Sequence, residues 1–264
     1  MKRQFSLLSC IWLFNTPISP HNRPSTNLDI NMLQGKKLVC FDLDGTLIDS
    51  VGVWNQVDAD LIQQLTGQTI QLGLIQRERD IQLQLFKNTP DPYLMYCNYL
   101  KDTYKIEQHT ADQIKQQRYA ISQHFLEHII LLKPHAALFV QQLIQQGIQV
   151  AITTTTSLQN IYRYQKNIHI YPKLHFENSF DLILTRENVK NIKPHPEVYL
   201  QAIEHFAVKP EECLIFEDSL IGVEAANAAG IEVVAVYDAY SEHEIEQIKN
   251  KADYFIHDFS SVLN

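Results

Sequence analysis

The stretch VCFDLDGTLIDS, residues 39–50, places two aspartates directly behind an apolar run. The apolar letters are typical of a strand that is buried on both faces, and Asp42 and Asp44 stand where that strand ends. A carboxylate that leaves water costs free energy unless it is paired. This stretch therefore indicates either an ordinary solvated turn or a site that holds a cation.

The composition limits what else the chain can be. It has 264 residues, of which 45% are hydrophobic, enough for one large domain or for a core with a smaller second unit. The formal net charge of -8 argues against a broad nucleic-acid surface, and we expect neither a nucleic-acid nor a membrane partner. The four cysteines show no C-x-x-C spacing, which favours a reducing cytoplasm over zinc or dithiol chemistry. The sequence leaves open whether the protein is a monomer or a dimer.

The first 31 residues differ from the rest. The segment MKRQFSLLSCIWLF has the basic start and apolar stretch of a short secretory signal, and it is too short to span a bilayer. Asn15-Thr16-Pro17 interrupts it, and no A-x-A-like cleavage site follows. We interpret residues 1–31 as a disordered extension, or as the result of a start assigned upstream of the true start at Met32 (an over-called start). A functional secretory signal is the second interpretation.

Strand and helix patterns alternate through most of the chain. Near-continuous apolar runs predict buried strands, and helical patterns that end on glycine or begin at proline lie between them. The predicted strands are 37–42, 148–153, 181–185, 213–217 and 232–237, and the predicted helices are 135–147, 196–206 and 219–230. This alternation predicts an α/β fold with a parallel sheet and right-handed crossovers.

One long insertion interrupts the alternation. Residues 52–132 contain no convincing strand, are rich in glutamine and show helical spacing throughout. We therefore predict two units, a core formed by residues 32–51 and 133–264 and an inserted all-α domain formed by residues 52–132.

Polar side chains stand where the predicted strands end. In open α/β sheets the functional groups gather at the carboxyl ends of the strands, so these side chains are expected to meet at one edge. They are Asp42 and Asp44 after the first strand, Thr153 to Thr156 after the second, Lys193 after the third, and Glu217 and Asp218 after the fourth.

The charges at this edge do not balance. Two like charges about 4 Å apart repel by roughly 4 kcal/mol at an effective dielectric constant of about 20. The single Lys193 cannot offset four carboxylates, so either a proton is shared or a divalent cation is bound. Because carboxylates and water are the ligands that Mg²⁺ prefers, the sequence predicts a Mg²⁺ site that also attracts an anionic substrate.

Four segments in this order resemble the haloacid dehalogenase-like (HAD) superfamily. They are FDLDGTLIDS (41–50), AITTTT (151–156), KPHPEVY (193–199) and FEDSLIGVEAANAAG (216–230), and the resemblance covers about residues 37–260. It implies a Rossmann-like core with a helical cap inserted between the first two segments. The dehalogenases of the superfamily lack the second aspartate, so Asp44 favours a phosphatase of a small phosphorylated metabolite.

The resemblance also implies roles for individual residues. Asp42 would attack phosphorus and become an aspartyl-phosphate, and Asp44 would act as general acid and then as general base. The offset of two positions suits this pair, because residues i and i+2 of an extended strand face the same side. Thr154, and the backbone N–H of Thr155, would bind the phosphoryl oxygens.

The remaining implied roles concern charge. Lys193 would neutralise the phosphate and the nucleophile together. Glu217 and Asp218 would hold Mg²⁺ with Asp42, and Asp44 would contribute its backbone carbonyl.

Each segment also has a purely structural interpretation. Asp42 and Asp44 are compatible with a strand-to-turn connection, and Lys193 with a solvated loop. For Thr153 and Thr156 we favour β-branched residues at a strand end. Asp218 is also a candidate cap of the following helix, and Gly222 inside that helix predicts close packing against the sheet. Each structural interpretation accounts for one or two residues at a time. The presence of all four segments in one chain favours the catalytic interpretation.

Two other functions remain as alternatives. One is a phosphoglucomutase-like isomerase, but mutases of this superfamily carry a histidine near position 54, where this chain has Trp54. Some sugar-phosphate phosphatases of this superfamily carry an aromatic residue at a similar place. The resemblance therefore favours a sugar or polyol phosphate as the substrate. The other alternative is a non-catalytic phosphate-binding protein on the same fold.

Overall fold

The computed structural model describes residues 32–86 and 89–263. The predictions for residues 1–31 lie outside this part of the chain. Within it, no helix has the length and apolar character needed to cross a membrane.

A six-stranded parallel sheet forms the centre of the protein. The strands are β1 (Leu38–Phe41), β2 (Gln149–Thr153), β3 (Leu182–Leu184), β4 (Cys213–Glu217), β5 (Glu232–Val236) and β6 (Tyr254–Ile256). Their spatial order is β3-β2-β1-β4-β5-β6, and every neighbouring pair is parallel. The predicted α/β fold and its first five strands are confirmed.

The strand order places β1 at a topological switch point. β1 pairs with β2 on one side and with β4 on the other. β3 lies beyond β2, and β5 and β6 lie beyond β4, so the sheet extends in both directions from β1. In open parallel sheets, ligands bind outside the carboxyl ends of the strands at such a point. The residues that follow β1 and β4 therefore occupy the position where a site is expected.

Within the described residues, ten α-helices connect the strands. They are α1 (Val53–Thr66), α2 (Leu72–Phe86), α3 (Pro92–Tyr104), α4 (Ala111–His128), α5 (Ala136–Gln145), α6 (Leu158–Tyr164), α7 (Phe176–Ser179), α8 (Glu197–His205), α9 (Leu220–Ala229) and α10 (Ile245–Lys251). Apolar side chains from both faces of the sheet form two cores. On one face, Phe41 stacks on Phe216 with ring centroids 5.1 Å apart, and Phe139 meets Phe216 edge-on at 5.2 Å.

The helices α1 to α4 occupy the predicted insertion and have a hydrophobic core of their own. Leu61, Ile75, Leu100 and Ile114, one from each helix, belong to this core and are completely buried. The two linkers of the insertion run side by side, since Ile48 and Leu132 form an antiparallel bridge.

Candidate active site

The turn after β1 brings the first aspartate to the edge of the sheet. Asp42 continues the ladder, because its backbone N–H donates to the carbonyl of Phe216 over 2.9 Å. Gly45 then has a φ of +90°, which favours glycine, and a Cβ there would lie 2.2 Å from Oδ2 of Asp218. The glycine thus lets the turn after β1 approach the residue that follows β4.

Three of the predicted carboxylates form one buried cluster. Asp42, Glu217 and Asp218 each offer an oxygen, and these oxygens lie within 4.8 Å of one another. All three side chains are buried, with relative exposures of 7%, 0% and 4%. Thr46 donates to Oδ1 of Asp218 over 2.9 Å. The structure therefore brings together the residues from β1 and β4 that the sequence predicted to meet.

Lys193 lies inside this acidic cluster. Its Nζ donates to Oδ1 of Asp42 over 2.7 Å, to the carboxylate of Glu217 and to the carbonyl of Thr153 over 2.9 Å. Its exposed fraction is only 4%, so the interpretation as a solvated loop lysine is wrong. Burial favours the neutral amine, but Asp42 and Glu217 outweigh it and raise the pKa of Lys193, which keeps the ammonium charged.

The carboxylates are not fully compensated by this lysine. Burial raises the pKa of Asp42 from 3.8 to about 7, although the nearby Lys193 acts in the opposite direction. Burial, and then the charge of Asp42, raise the pKa of Asp218 well above its usual value. The protein alone thus holds protons at this cluster in a pH range where an ordinary aspartate is ionised.

The donor set fits a divalent cation. Three carboxylates face a single ammonium group, and every side-chain donor in the cluster is an oxygen. Oxygen donors and excess negative charge suit Mg²⁺, whereas the nitrogen and sulfur ligands typical of zinc are not part of this cluster.

Asp44 is not one of these three clustered carboxylates, and its side chain accepts hydrogen bonds from three hydroxyl groups. Ser50 donates to its Oδ1 over 2.5 Å, and Tyr164 and Thr156 also donate to this carboxylate. The interpretation of Thr156 as a strand-end residue is wrong, because β2 ends at Thr153 and Thr156 belongs to the site. The contacts from Thr156 and Tyr164 were not predicted, since they join residues 112 and 120 positions apart.

The two predicted phosphate-binding threonines follow β2. The backbone N–H of Thr154 donates to the carbonyl of Leu184, which extends the sheet by one residue. The Thr154 hydroxyl is buried and accepts a hydrogen bond from the N–H of Thr156 over 3.1 Å, while Thr155 is half-buried. The structure thus places both residues at the same edge as Asp42.

Glu217 is held by groups that the sequence did not reveal. Tyr199, which is fully buried, donates to its Oε1 over 2.7 Å, and Ser219 donates to its Oε2 over 3.2 Å. Ser219 also caps α9 by accepting from the N–H of Gly222, so the assignment of Asp218 as the helix cap is wrong. The tyrosine lies in the segment KPHPEVY, but nothing in its spacing indicates that its hydroxyl faces Glu217.

The sequence matches a family model. The model describes a haloacid dehalogenase-like hydrolase and matches residues 36–230, which contain both the acidic cluster and the helical insertion.

Curated relatives share parts of the chain. It is 33% identical over 115 residues to Protein CbbY of Cereibacter sphaeroides, covering 44% of this chain and 49% of that protein. It is 50% identical over 60 residues to the Phosphorylated carbohydrates phosphatase of Thermotoga maritima, covering 23% of this chain and 28% of that protein. These matches span about half of those relatives' length or less.

A solved structure is similar to this chain over a longer part of its length. A putative beta-phosphoglucomutase from Thermotoga maritima superimposes with a TM-score of 0.68 at 23% identity, covering 83% of this chain and 94% of that one. At this identity the match shows a common fold. Together with the family model, it leads to one conclusion: the chain belongs to the haloacid dehalogenase-like hydrolase family.

Proposed function

We propose that this protein is a Mg²⁺-dependent phosphatase that hydrolyses a small phosphorylated metabolite through an aspartyl-phosphate. The observation that carries the proposal is the buried cluster of Asp42, Glu217 and Asp218 around the single Lys193, at the carboxyl ends of β1 and β4. An anion-binding site with an excess of carboxylates requires a cation, and a phosphoryl group is the anion that such a cation and Lys193 would bind together.

Asp42 would supply the nucleophile and Asp44 the proton. In the first step an oxygen of Asp42 bonds to phosphorus, the bond from phosphorus to the ester oxygen breaks, and Asp44 protonates that oxygen. In the second step Asp44 takes a proton from water, the water oxygen bonds to phosphorus, and Asp42 is released as a carboxylate. Positioning and charge stabilisation account for most of the catalysis in such a reaction.

The other residues would bind the phosphoryl group and the metal. Thr154 and the N–H of Thr155 would donate to the phosphoryl oxygens, beside the ammonium of Lys193. The carboxylates of Asp42, Glu217 and Asp218, with the backbone carbonyl of Asp44, would hold Mg²⁺. The bound cation would neutralise the carboxylates and the phosphoryl charge.

The substrate class is a sugar or polyol phosphate. Two matched relatives are named for such compounds, the Phosphorylated carbohydrates phosphatase and the Hexitol phosphatase B of Escherichia coli, the latter 23% identical over 74% of this chain. Residues 52–132 would act as a cap domain that covers the site and contacts the part of the substrate beyond the phosphate. Trp54 cannot exchange a proton with a sugar hydroxyl, which favours hydrolysis over the mutase reaction.

We place the enzyme in the cytoplasm, where buried free thiols such as Cys40 and Cys213 are stable.

Release of inorganic phosphate tests this proposal. Purified protein is incubated with Mg²⁺ and a panel of sugar, polyol and aryl phosphates, with and without EDTA. We expect release that EDTA abolishes, and a loss of about a thousandfold or more in kcat for Asp42→Asn. Asp102→Asn is the matched control, because Asp102 is an exposed aspartate on α3.

Three results would contradict the proposal. Release that persists in Asp42→Asn would remove this residue as the nucleophile. Movement of phosphate between sugar hydroxyls without release would identify an isomerase. No release from any compound, with phosphate still bound, would identify a non-catalytic phosphate-binding protein.

A further inference from the structure

The carboxylate of Asp44 is held by hydroxyl groups from three separate parts of the chain. Ser50 belongs to the linker that leads into α1, Thr156 follows β2, and Tyr164 is the last residue of α6. Ser50 and Tyr164 both donate to Oδ1, and Thr156 donates to Oδ2. Both oxygens of this carboxylate are therefore tied to the surrounding protein.

Ser50 is also fully buried, but Tyr164 is the donor whose side chain is packed among apolar side chains. Its side chain is only 1% exposed and belongs to the hydrophobic core on one face of the sheet, together with Ile161 and Ile170. A ring packed in a core keeps one orientation, since interiors have the density of organic crystals. Burial, and then the charge of Asp44, raise the pKa of this phenol well above its usual value, so Tyr164 remains a neutral donor.

We propose that Tyr164 is a positioning residue that fixes the orientation of the Asp44 carboxyl group for proton transfer to the leaving oxygen. This proposal rests on the proposed phosphatase function. Through Tyr164 the core of the protein sets where the carboxyl group stands relative to the ester oxygen of the substrate. A displacement of about 1 Å in such a group costs on the order of a hundredfold in rate.

The choice of substrate isolates this role. p-Nitrophenolate leaves phosphorus without needing a proton, whereas phenolate is a stronger base and gains more from protonation in the transition state. Phenyl phosphate and p-nitrophenyl phosphate have nearly the same size and shape. The ratio of their kcat/KM values therefore reports proton delivery, and a fraction of unfolded enzyme lowers both values equally.

The experiment compares Tyr164→Phe with Tyr162→Phe. Both residues lie on α6, but Tyr162 is 56% exposed. We expect Tyr164→Phe to reduce kcat/KM for phenyl phosphate about tenfold more than for p-nitrophenyl phosphate, mainly through kcat. Tyr162→Phe should leave the ratio of the two values unchanged.

The outcomes separate this proposal from the proposed function. Equal losses for both substrates in Tyr164→Phe would show a purely structural role, and a gain in activity would show that the phenol holds Asp44 back. Either result overturns the proposal while the wild-type enzyme remains a phosphatase. If the wild type released phosphate from neither compound nor from any compound in the panel, the proposed function would fail and the role of Tyr164 with it.

Discussion

At the scale of single residues, Gly222 shows how little space the site leaves. It lies in the first turn of α9, and a Cβ at this position would lie 1.9 to 2.1 Å from the carboxyl atoms of Glu217. The close packing against the sheet that was predicted for this glycine is confirmed, because Glu217 is the last residue of β4. The helix therefore carries glycine where Glu217 needs room beside Lys193 and Tyr199.

Replacing this glycine should damage the site. In Gly222→Ala the added methyl group has to displace the Glu217 carboxyl group, which disturbs Lys193 and the acidic cluster. We expect kcat/KM for phosphate release to fall by about tenfold or more, and the free energy of unfolding by about 1–3 kcal/mol. Phosphate release and urea unfolding measure the two quantities.

Gly73 provides the matched control. It also lies in a helix, α2, but a Cβ there would have no heavy atom within 4 Å. Gly73→Ala should leave activity unchanged and stabilise the fold by up to about 1 kcal/mol, through the higher helix propensity of alanine. If the two variants behaved alike, the packing of Glu217 against α9 would have no functional importance.

At the scale of elements, a buried polar network connects the four helices of the insertion, in addition to their hydrophobic core. Asp58 on α1 is fully buried and accepts from Arg118 on α4 over 2.6 Å, from Arg79 on α2 over 3.3 Å and from Tyr96 on α3 over 3.2 Å. The guanidinium of Arg118 also lies 4.9 Å from the centre of the Trp54 ring. One carboxylate thus connects all four helices.

Removing this charge should weaken the insertion. Asp58→Asn leaves two buried guanidinium groups without their carboxylate, and breaking a buried ion pair in this way costs about 3–5 kcal/mol. Urea unfolding measures the loss. Lys115→Ala on the same helix as Arg118 removes a more exposed pair with Asp91 and should cost less than about 1 kcal/mol. Equal losses in the two variants would mean that the Asp58 network contributes no more than a surface pair.

The elements also show what a sequence can and cannot reveal. The long apolar runs of β1, β2, β4 and β5 predicted these strands to within about one residue, because strands buried on both faces are apolar throughout. β6 (Tyr254–Ile256) was missed, whereas β3, an edge strand that is equally short, was predicted, so a run of three apolar residues is a weak signal. The short helices α6, α7 and α10 were also missed, since segments of four to seven residues span less than two helical turns.

The site was predictable in part for a related reason. Asp42, Lys193, Glu217 and Asp218 stand at strand ends or in recognisable segments, so the topology of a parallel sheet alone brings them together. The hydroxyl groups that orient the carboxylates come from packed side chains far apart in the sequence, such as Tyr164 and Tyr199. Their roles depend on tertiary contacts, which no local spacing encodes.

At the scale of the whole molecule, the acidic cluster links stability to pH and to metal. With the pKa of Asp42 raised from 3.8 to about 7, the metal-free folded protein binds more protons than the unfolded chain between these values. The free energy of unfolding therefore falls as the pH rises from about 4 to about 7. Mg²⁺ replaces these protons, so the stabilisation that it provides should be larger at high pH than at low pH.

The central claim is that the buried carboxylates form a site for a divalent cation. Calorimetric titration with Mg²⁺ alone tests it, with the wild type and Asp218→Asn compared at about pH 6 and about pH 8. We expect the wild type to bind Mg²⁺ more tightly at the higher pH and to release protons at the lower one. Asp218→Asn should bind at least about tenfold more weakly, while Asp102→Asn should match the wild type. Mg²⁺ binding that is absent from the wild type, or that is unchanged in Asp218→Asn, would contradict the account.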